Sequence, residues 1–256
     1  MPEARTYADR GAGQLLIVKT GSTLPPLRRQ GDFEDWIAAG LQRGDASGTC
    51  ETVDVTDSPG ALPPPEAPAG IVVSGSPAMV SAREPWSEAT GSWLAEAAHA
   101  GVPILGICYG HQLLAHALGG RAGPNPRGRE IGTVEVQRLP EAAGDPLLGR
   151  LPERFPAHVT HEESVLELPP GARRLAWNDH DAFQAFRWGE RAWGVQFHPE
   201  FDAAITRGYI FHRRRDLRQE ALAPRDLLRR VVETPDATAL LAGFAALAQE
   251  PVRAGA

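Results

Sequence analysis

The sequence predicts an α/β fold of three layers, in which helices cover both faces of a central, mainly parallel sheet and a smaller antiparallel portion lies beside it. Two observations lead to this prediction. In the first half of the chain, short apolar runs alternate with helical segments, which is typical of parallel strands covered by helices. In the second half, strand-like segments follow one another with short connections, which favours antiparallel pairing. Since 256 residues suffice for one large core, we expect a single domain.

The first half alternates strands and helices in a regular order. The helix that starts at Asp32 has a capping acid and places Phe33, Trp36 and Ile37 at helical spacing. The Pro-rich residues 56–70 form a loop rather than a domain linker, because the alternation resumes directly after them. The predicted strands are residues 14–19, 49–55, 70–74 and 102–107, and the predicted helices are residues 32–41, 85–100 and 109–118.

The second half is richer in strands. Gly189 and Glu190 separate two apolar segments and predict a two-residue hairpin turn. The last strand ends before Pro199, because proline cannot donate a hydrogen bond to a neighbouring strand. The predicted strands are residues 131–136, 164–168, 173–177, 182–188 and 191–197, and the predicted helices are residues 202–219 and 235–249.

The stretch VPILGICYGHQ, residues 102–112, predicts a strand that ends in a sharp turn before a helix. Cys108 has a glycine at each second neighbour, Gly106 and Gly110. The pattern G-x-C-x-G matches the elbow written G-x-S-x-G around nucleophilic serines, where space for Cβ atoms is scarce. A thiol at this place lies at a helix N-terminus, which favours the thiolate. Cys108 is therefore a candidate nucleophile.

A nucleophilic cysteine needs a histidine base and a group that orients the ring. His198 ends the apolar strand GVQFHPE, and Glu200 leaves the extended backbone on the same side. Ligands of open α/β sheets bind beyond the carboxyl ends of the strands, where the Cys108 elbow and the loop at Gly75 and Ser76 also lie. His111 is close to Cys108 in sequence, but its place in the helix suits a hydrogen bond that fixes the turn.

Composition excludes several classes of function. The formal net charge of −6 argues against a general nucleic-acid binder. Cys50 and Cys108 are the only cysteines, which is consistent with a reducing compartment, and no apolar run is long enough for a membrane span. We therefore expect a cytoplasmic protein with a small-molecule substrate, no nucleic acid and no membrane contact. The basic run 212–215 with Arg218 is interpreted as a solvated helix face, and His158 and His161 are spaced unfavourably for a metal site.

Two motifs in order, GICYGHQ and GVQFHPE, resemble the class I glutamine amidotransferases, whose fold is flavodoxin-like. The resemblance also includes VVSGSP, HEESVLELPPGA and AFRWGERAWGVQFHPEF, and it covers a core of about residues 14–210. Residues 211–256 are then a C-terminal helical extension of one amidotransferase domain, 1–256. LLIVKTG, GDFEDW and RGREIG resemble the stand-alone, GMP-synthase-like branch and the related γ-glutamyl peptidases.

The resemblance implies a role for each matching residue. Cys108 is the nucleophile, His198 is the general base and then the acid, and Glu200 orients His198. The oxyanion hole is formed near Gly75 by the backbone N–H groups of Ser76 and Tyr109. The ends of a glutamyl substrate are held by Gln112 and by the backbone around His161, Glu162 and Glu163. No metal and no cofactor are implied.

The implied reaction is hydrolysis of a γ-glutamyl amide through a Cys108 thioester, with ammonia passed to an unknown acceptor or to a synthetase partner. No synthetase segment follows Glu200 in the sequence. One alternative is a γ-glutamyl peptidase that acts on glutathione-like conjugates. Another is a non-catalytic, amidotransferase-like binding or regulatory domain, although the intact Cys-His-Glu set counts against it.

Overall fold

The computed structural model of the chain describes residues 14–43 and 50–250. Its central sheet has nine strands, of which one half is parallel. The parallel half has the order β2-β1-β3-β4-β11. These strands are β1 (Leu15–Lys19), β2 (Cys50–Asp54), β3 (Gly70–Val73), β4 (Ile104–Ile107) and β11 (Ala192–Val195). The predicted α/β fold is confirmed.

The other half of the sheet is antiparallel and continues from β11. Its order is β11-β10-β9-β6-β7. The strands are β6 (Glu130–Arg138), β7 (Arg154–His161), β9 (Arg173–Trp177) and β10 (Ala185–Trp188). Two further strands, β5 (Arg121–Pro124) and β8 (Glu163–Glu167), form a separate antiparallel pair.

Helices cover both faces of the sheet. In β1, Leu15 and Ile17 join one apolar cluster, while Leu16 and Val18 join the other, as alternation along a strand requires. The first cluster contains residues of α1 and α7, and the second contains residues of α2 and α3. The helices are α1 (Phe33–Gln42), α2 (Pro85–His99), α3 (Tyr109–Ala117), α4 (Ala203–His212), α5 (Arg214–Gln219), α6 (Pro224–Arg230) and α7 (Pro235–Gln249).

Helix α7 packs closely on α1. A Cβ atom at Gly40 of α1 would lie 2.3 Å from Cδ1 of Leu241, so glycine permits this approach.

Within the part of the chain that the structure describes, no single helix is long and apolar enough to cross a membrane. Only the bent pair of α6 and α7, at 66°, has sufficient length and composition together.

Three details differ from the sequence predictions. The hairpin between β10 and β11 pairs Trp188 with Ala192, so its loop has three residues rather than two. The predicted helix 202–219 breaks at Arg213 into α4 and α5. Tyr209, Ile210 and Leu217 keep helical spacing across the break, so the apolar pattern does not reveal it. The elements β5, β7 and α6 were not predicted. β5 and α6 have too few residues to show a period, and in β7 Pro156 and two histidines obscure the apolar pattern.

Candidate active site

Cys108 occupies a strained elbow between β4 and α3. Its φ of 52° and ψ of −100° place a non-glycine residue in a sparsely populated region. A Cβ atom at Gly106 would lie 2.4 Å from the carbonyl oxygen of Gly110, and one at Gly110 would lie 2.5 Å from that of Val73. Both flanking glycines are therefore required by backbone contacts. The predicted elbow is confirmed as a backbone feature.

The strain at Cys108 gives a stability prediction. Cys108→Gly is expected to raise the free energy of unfolding by about 1 kcal/mol relative to Cys108→Ala, because glycine adopts positive φ without steric cost. Urea unfolding of the two variants measures the difference. Cys50, in β2, is the control: there glycine is expected to be less stable than alanine, since the strand needs no positive φ. Equal stability of the two Cys108 variants would contradict the strain.

His198 follows β11 and is fully fixed by its neighbours. Its Nδ1 lies 2.7 Å from Oε1 of Glu200, and its backbone N–H donates to the carbonyl of His158 at 2.7 Å. The ring stacks on Phe201 with centroids 4.1 Å apart, and Phe33 lies parallel to it at 6.2 Å. With Glu200 accepting at Nδ1, the other nitrogen, Nε2, is left to exchange a proton.

The charges around His198 favour its protonated form. Burial opposes the charge on the ring, but the Glu200 carboxylate and the Cys108 sulfur outweigh it and raise the pKa of His198 to about 10. In this conformation His198 Nε2 has no hydrogen-bond partner among the described residues, and the thiol lies 3.9 Å from the carbonyl oxygen of Thr160. The surroundings of His198 therefore favour the imidazolium form of this ring.

Gly75 lies where the elbow and His198 meet. A Cβ atom at this position would lie 3.0 Å from Cε1 of His198 and 3.8 Å from Cβ of Cys108. Cys108 and His198, which are 90 residues apart in the numbering, are therefore brought to one point. A side chain at Gly75 would displace the imidazole.

Two backbone donors beside Cys108 have no hydrogen-bond partner among the described residues. Neither the N–H of Ser76 nor that of Tyr109 forms a hydrogen bond with another described residue. The Ser76 hydroxyl donates to the carbonyl of Thr20 at 2.7 Å, which fixes the loop. The phenol of Tyr109 lies 2.5 Å from the hydroxyl of Ser87 in the core, so only its backbone remains for the site.

Two small cavities, each of about 40 Å³, flank Cys108. One lies on the side of His198 and is also lined by Leu24, Phe33 and Tyr209. The other lies on the side of Gln112 and is lined by all four residues predicted to hold the substrate ends. The residues common to both cavities are Ser76, Pro77, Cys108, Thr160 and Arg213.

The predicted substrate residues differ in how they are held. Gln112 donates through Nε2 to the carbonyl of Glu163 at 2.7 Å and to Gln196 at 3.0 Å, which leaves its Oε1 without a partner among the described residues. The Glu163 carboxylate is buried and accepts from both the hydroxyl and the N–H of Ser81. Glu162 is more exposed and forms an ion pair with Arg129.

His161 belongs to a buried polar network under this cavity. Its Nε2 lies 3.0 Å from Oε2 of Glu130, and its Nδ1 lies 2.9 Å from the carbonyl oxygen of Glu163. Burial opposes the charge on His161, but Glu130 outweighs it and raises the pKa of this ring. Glu130 also accepts from Asn178 and Gln184. The network fixes the Glu163 carbonyl that also orients Gln112.

The sequence did not single out several residues of the site. Arg129, Glu130, Ser81 and Arg213 line the cavities or support their walls. The segment RGREIG contained a signal, because the charged residues Arg129 and Glu130 stand where β6 begins. Ser81 and Arg213 carry no local signal, since their partners or cavities are formed by distant segments.

The remaining histidines near the site are neutral. Burial lowers the pKa of His111 to about 4, and its ring packs against Phe186 at 5.0 Å. Burial and the nearby His198 lower the pKa of His158 to about 4, and its Nδ1 lies 3.2 Å from the Thr133 hydroxyl. Among the residues that the structure describes, no three His, Cys, Asp or Glu side chains converge on a point that could hold a metal.

The geometry described above can be compared with known proteins. A family model described as "Glutamine amidotransferase class-I" matches residues 33–214, which is more than half of the chain and includes Cys108, His198 and Glu200. The chain belongs to the class-I glutamine amidotransferase family. The resemblance inferred from GICYGHQ and GVQFHPE is thereby confirmed.

Curated relatives of this amidotransferase are named GMP synthase (glutamine-hydrolyzing). The chain is 40% identical over 149 residues to the protein of Thermomicrobium roseum, covering 56% of this chain and 26% of that protein. It is 40% identical over 132 residues to the protein of Aeropyrum pernix, covering 52% and 24%. The likeness to the GMP-synthase-like branch is confirmed, and the chain spans about a quarter of the length of these relatives.

Solved structures share the fold. A glutamine amidotransferase from Thermotoga maritima superposes with a TM-score of 0.73 over 93% of this chain and 99% of that chain, at 21% identity. A glutamine amidotransferase from Methylobacillus flagellatus gives a TM-score of 0.71 over 92% and 93%, at 22% identity. At these identities the likeness establishes the fold of this amidotransferase.

Proposed function

We propose that this class-I amidotransferase domain hydrolyses the γ-amide of glutamine through a thioester on Cys108 and delivers ammonia to a synthetase partner. The observation that carries the proposal is the meeting of a strained elbow cysteine with the buried His198–Glu200 pair beside Gly75. A thiolate with a histidine and an orienting carboxylate is the arrangement required for acyl transfer.

In the first half-reaction, the Cys108 thiolate attacks the γ-carbonyl carbon of glutamine. The negative charge that develops on the carbonyl oxygen is stabilised by the N–H groups of Ser76 and Tyr109, and such donors contribute about 100- to 1,000-fold in rate. His198 then gives its Nε2 proton to the leaving nitrogen as the C–N bond breaks. Ammonia leaves, and a γ-glutamyl thioester remains.

In the second half-reaction, His198 acts as the base. It takes a proton from a water molecule, whose oxygen attacks the thioester carbonyl, and the C–S bond breaks to release glutamate and the Cys108 thiolate. Glu200 holds the ring by Nδ1 during both half-reactions, so Nε2 faces the reacting atoms throughout. The sum is glutamine and water converted to glutamate and ammonia.

The size of the cavity beside His198 favours ammonia as the leaving group. A volume of about 40 Å³ holds about three water-sized molecules. The cysteinylglycine released from a glutathione-like compound is much larger than ammonia and would have to extend out of this space past Leu24, Phe33 and Tyr209. Glutamine is therefore the better substrate for this geometry than a peptide conjugate.

We expect a synthetase to use the ammonia that this domain releases. The relative from Thermomicrobium roseum, named GMP synthase, is about four times as long as the region that matches this chain. The rest of that relative lies outside the alignment. We propose that this amidotransferase domain works together with a synthetase that supplies the acceptor site. Cys50 and Cys108 are both free, which supports a location in the reducing cytoplasm.

A comparison of substrates tests this function. The wild-type protein is expected to release ammonia and glutamate from glutamine and no measurable cysteinylglycine from glutathione. Labelling of Cys108 by a diazoketone analogue of glutamine, read by mass spectrometry, tests the thioester chemistry without a partner. Release of cysteinylglycine as fast as ammonia would identify a γ-glutamyl peptidase instead. Absence of labelling would favour a non-catalytic binding domain.

A further inference from the structure

Arg213 lies at the break between α4 and α5 and lines both cavities beside Cys108. Of the residues that the two cavities share, Arg213 is the only one with a fixed charge. The break in the helix is what places it there. The rest of the basic run stays outside: Arg214 packs over the exposed ring of Phe211 at 4.4 Å, and Arg215 is exposed.

The guanidinium of Arg213 has no direct partner within the described part of the chain, although its charge acts at longer range on the Glu220 carboxylate, which is paired with Arg129. Nε of Arg213 is covered from solvent without a hydrogen-bond partner, and its guanidinium forms no ion pair with a described carboxylate. Arg129, the other arginine of the substrate cavity, is different. It forms ion pairs with Glu162 at 2.5 Å and Glu220 at 2.8 Å, so its charge is already balanced. Of the two arginines that line this cavity, Arg213 is therefore the one whose guanidinium is available to a ligand.

The same cavity also contains groups that suit a cation. The Glu163 carboxylate is held in place by Ser81, and the Gln112 Oε1 atom is an acceptor that has no partner among the described residues. A glutamyl substrate carries an ammonium and a carboxylate on one carbon atom. If the ammonium meets Glu163 and Gln112, the carboxylate needs donors nearby, and the guanidinium fork is matched to a carboxylate by shape and charge.

We propose that Arg213 binds the α-carboxylate of the glutamyl substrate and makes the site selective for substrates in which this group is free. The proposal rests on the proposed function only for the class of substrate. It assigns to Arg213 a role in recognition and no part in bond breaking. Substrates whose α-carboxylate is an amide are then disfavoured, because they leave the guanidinium unpaired.

Binding in the absence of turnover gives the sharpest test. In a Cys108→Ala background, calorimetry is used to measure the affinities for L-glutamine and for its α-amide, L-glutaminamide. Arg213→Ala is expected to weaken glutamine binding about 10- to 100-fold, the range for a lost hydrogen bond to a charged group, and glutaminamide binding less than about threefold. Arg213→Lys is expected to lie between, because it keeps the charge but loses the fork.

Arg215→Ala is the matched control, since it removes the same charge from the exposed part of the same run. Equal weakening of both ligands in Arg213→Ala would indicate a structural role and overturn the proposal. Unchanged glutamine affinity, or no glutamine binding with Arg213 present, would also overturn it. If glutamine binding depends on Arg213 but the wild type neither releases ammonia nor reacts with the diazoketone, the proposed function fails while the assignment of Arg213 stands.

Discussion

Cys108→Ala is expected to reduce ammonia release from glutamine by about 10⁴-fold or more, because the nucleophile of a triad contributes most of its rate enhancement. The thiol lies at the only described cysteine position with positive φ, at the N-terminus of α3. Among the described residues that line both cavities, Cys108 has the only thiol, and the Ser76 hydroxyl is engaged with the carbonyl of Thr20. Coupled detection of glutamate or direct detection of ammonia gives the measurement.

Cys50→Ala is the control for this substitution. Cys50 lies in β2, at the far edge of the sheet from the antiparallel half, and burial raises the pKa of its thiol. Activity is therefore expected to be unchanged in Cys50→Ala. Retention of the wild-type rate in Cys108→Ala, with the fold intact by circular dichroism, would rule out the thioester mechanism.

The fold could be predicted because its parallel strands are short and buried on both faces. In β1, neighbouring residues serve opposite helical layers, so the sequence shows a continuous apolar run between polar loops. Helix α1 adds a local signal, since Asp32 and Asp35 form a capping box at its start. Both signals depend on residues close in sequence, which is why they can be interpreted without the structure.

The elbow and the His198–Glu200 pair of the candidate site could be predicted for the same reason. The glycines around Cys108 are required by contacts within the elbow and with β3, and His198 and Glu200 are only two residues apart. The meeting of Cys108 and His198 is a consequence of topology, because β4 and β11 are parallel neighbours in the sheet. Their carboxyl ends therefore open at the same edge.

The residues that support the cavity beside Gln112 could not be predicted, because they act through distant partners. Glu130 meets His161 across β6 and β7, and Arg129 reaches Glu220 from 91 residues away. Arg213 was interpreted as part of a solvated helix face, since the apolar spacing across α4 and α5 fits one continuous helix. The break at Arg213, which places this residue beside Cys108, does not change the spacing of the apolar residues in the sequence.

Glu200→Gln is expected to lower the rate of glutamine hydrolysis by about 10²- to 10⁴-fold, because an amide no longer fixes the ring with Nε2 toward Cys108. It is also expected to lower the pKa of His198, since Glu200 is the strongest of the groups that raise it to about 10. A titration of the imidazole by nuclear magnetic resonance measures this shift, and the rate of ammonia release measures the first effect.

The raised pKa also makes stability depend on pH in a defined direction. The folded-state pKa of His198 lies above its ordinary value of 6.5, so the charged ring stabilises the fold fully below about pH 6.5. This contribution is lost as the pH rises through about 10. The difference in free energy of unfolding between wild type and Glu200→Gln is therefore expected to decrease between these values. Glu190→Gln, an exposed change of equal charge, should show no such trend.

Glu200→Asp separates the two roles of this carboxylate. Aspartate keeps the negative charge but is one methylene shorter, so the 2.7 Å hydrogen bond to Nδ1 is lost unless the backbone moves. The pKa of His198 should then stay above its ordinary value. The rate of ammonia release, however, should fall in Glu200→Asp as it does in Glu200→Gln. If Glu200→Asp keeps both the raised pKa of His198 and a rate of ammonia release close to that of the wild type, Glu200 acts by its charge alone. A rate that stays low while the charge is kept would show that orientation of the ring limits catalysis.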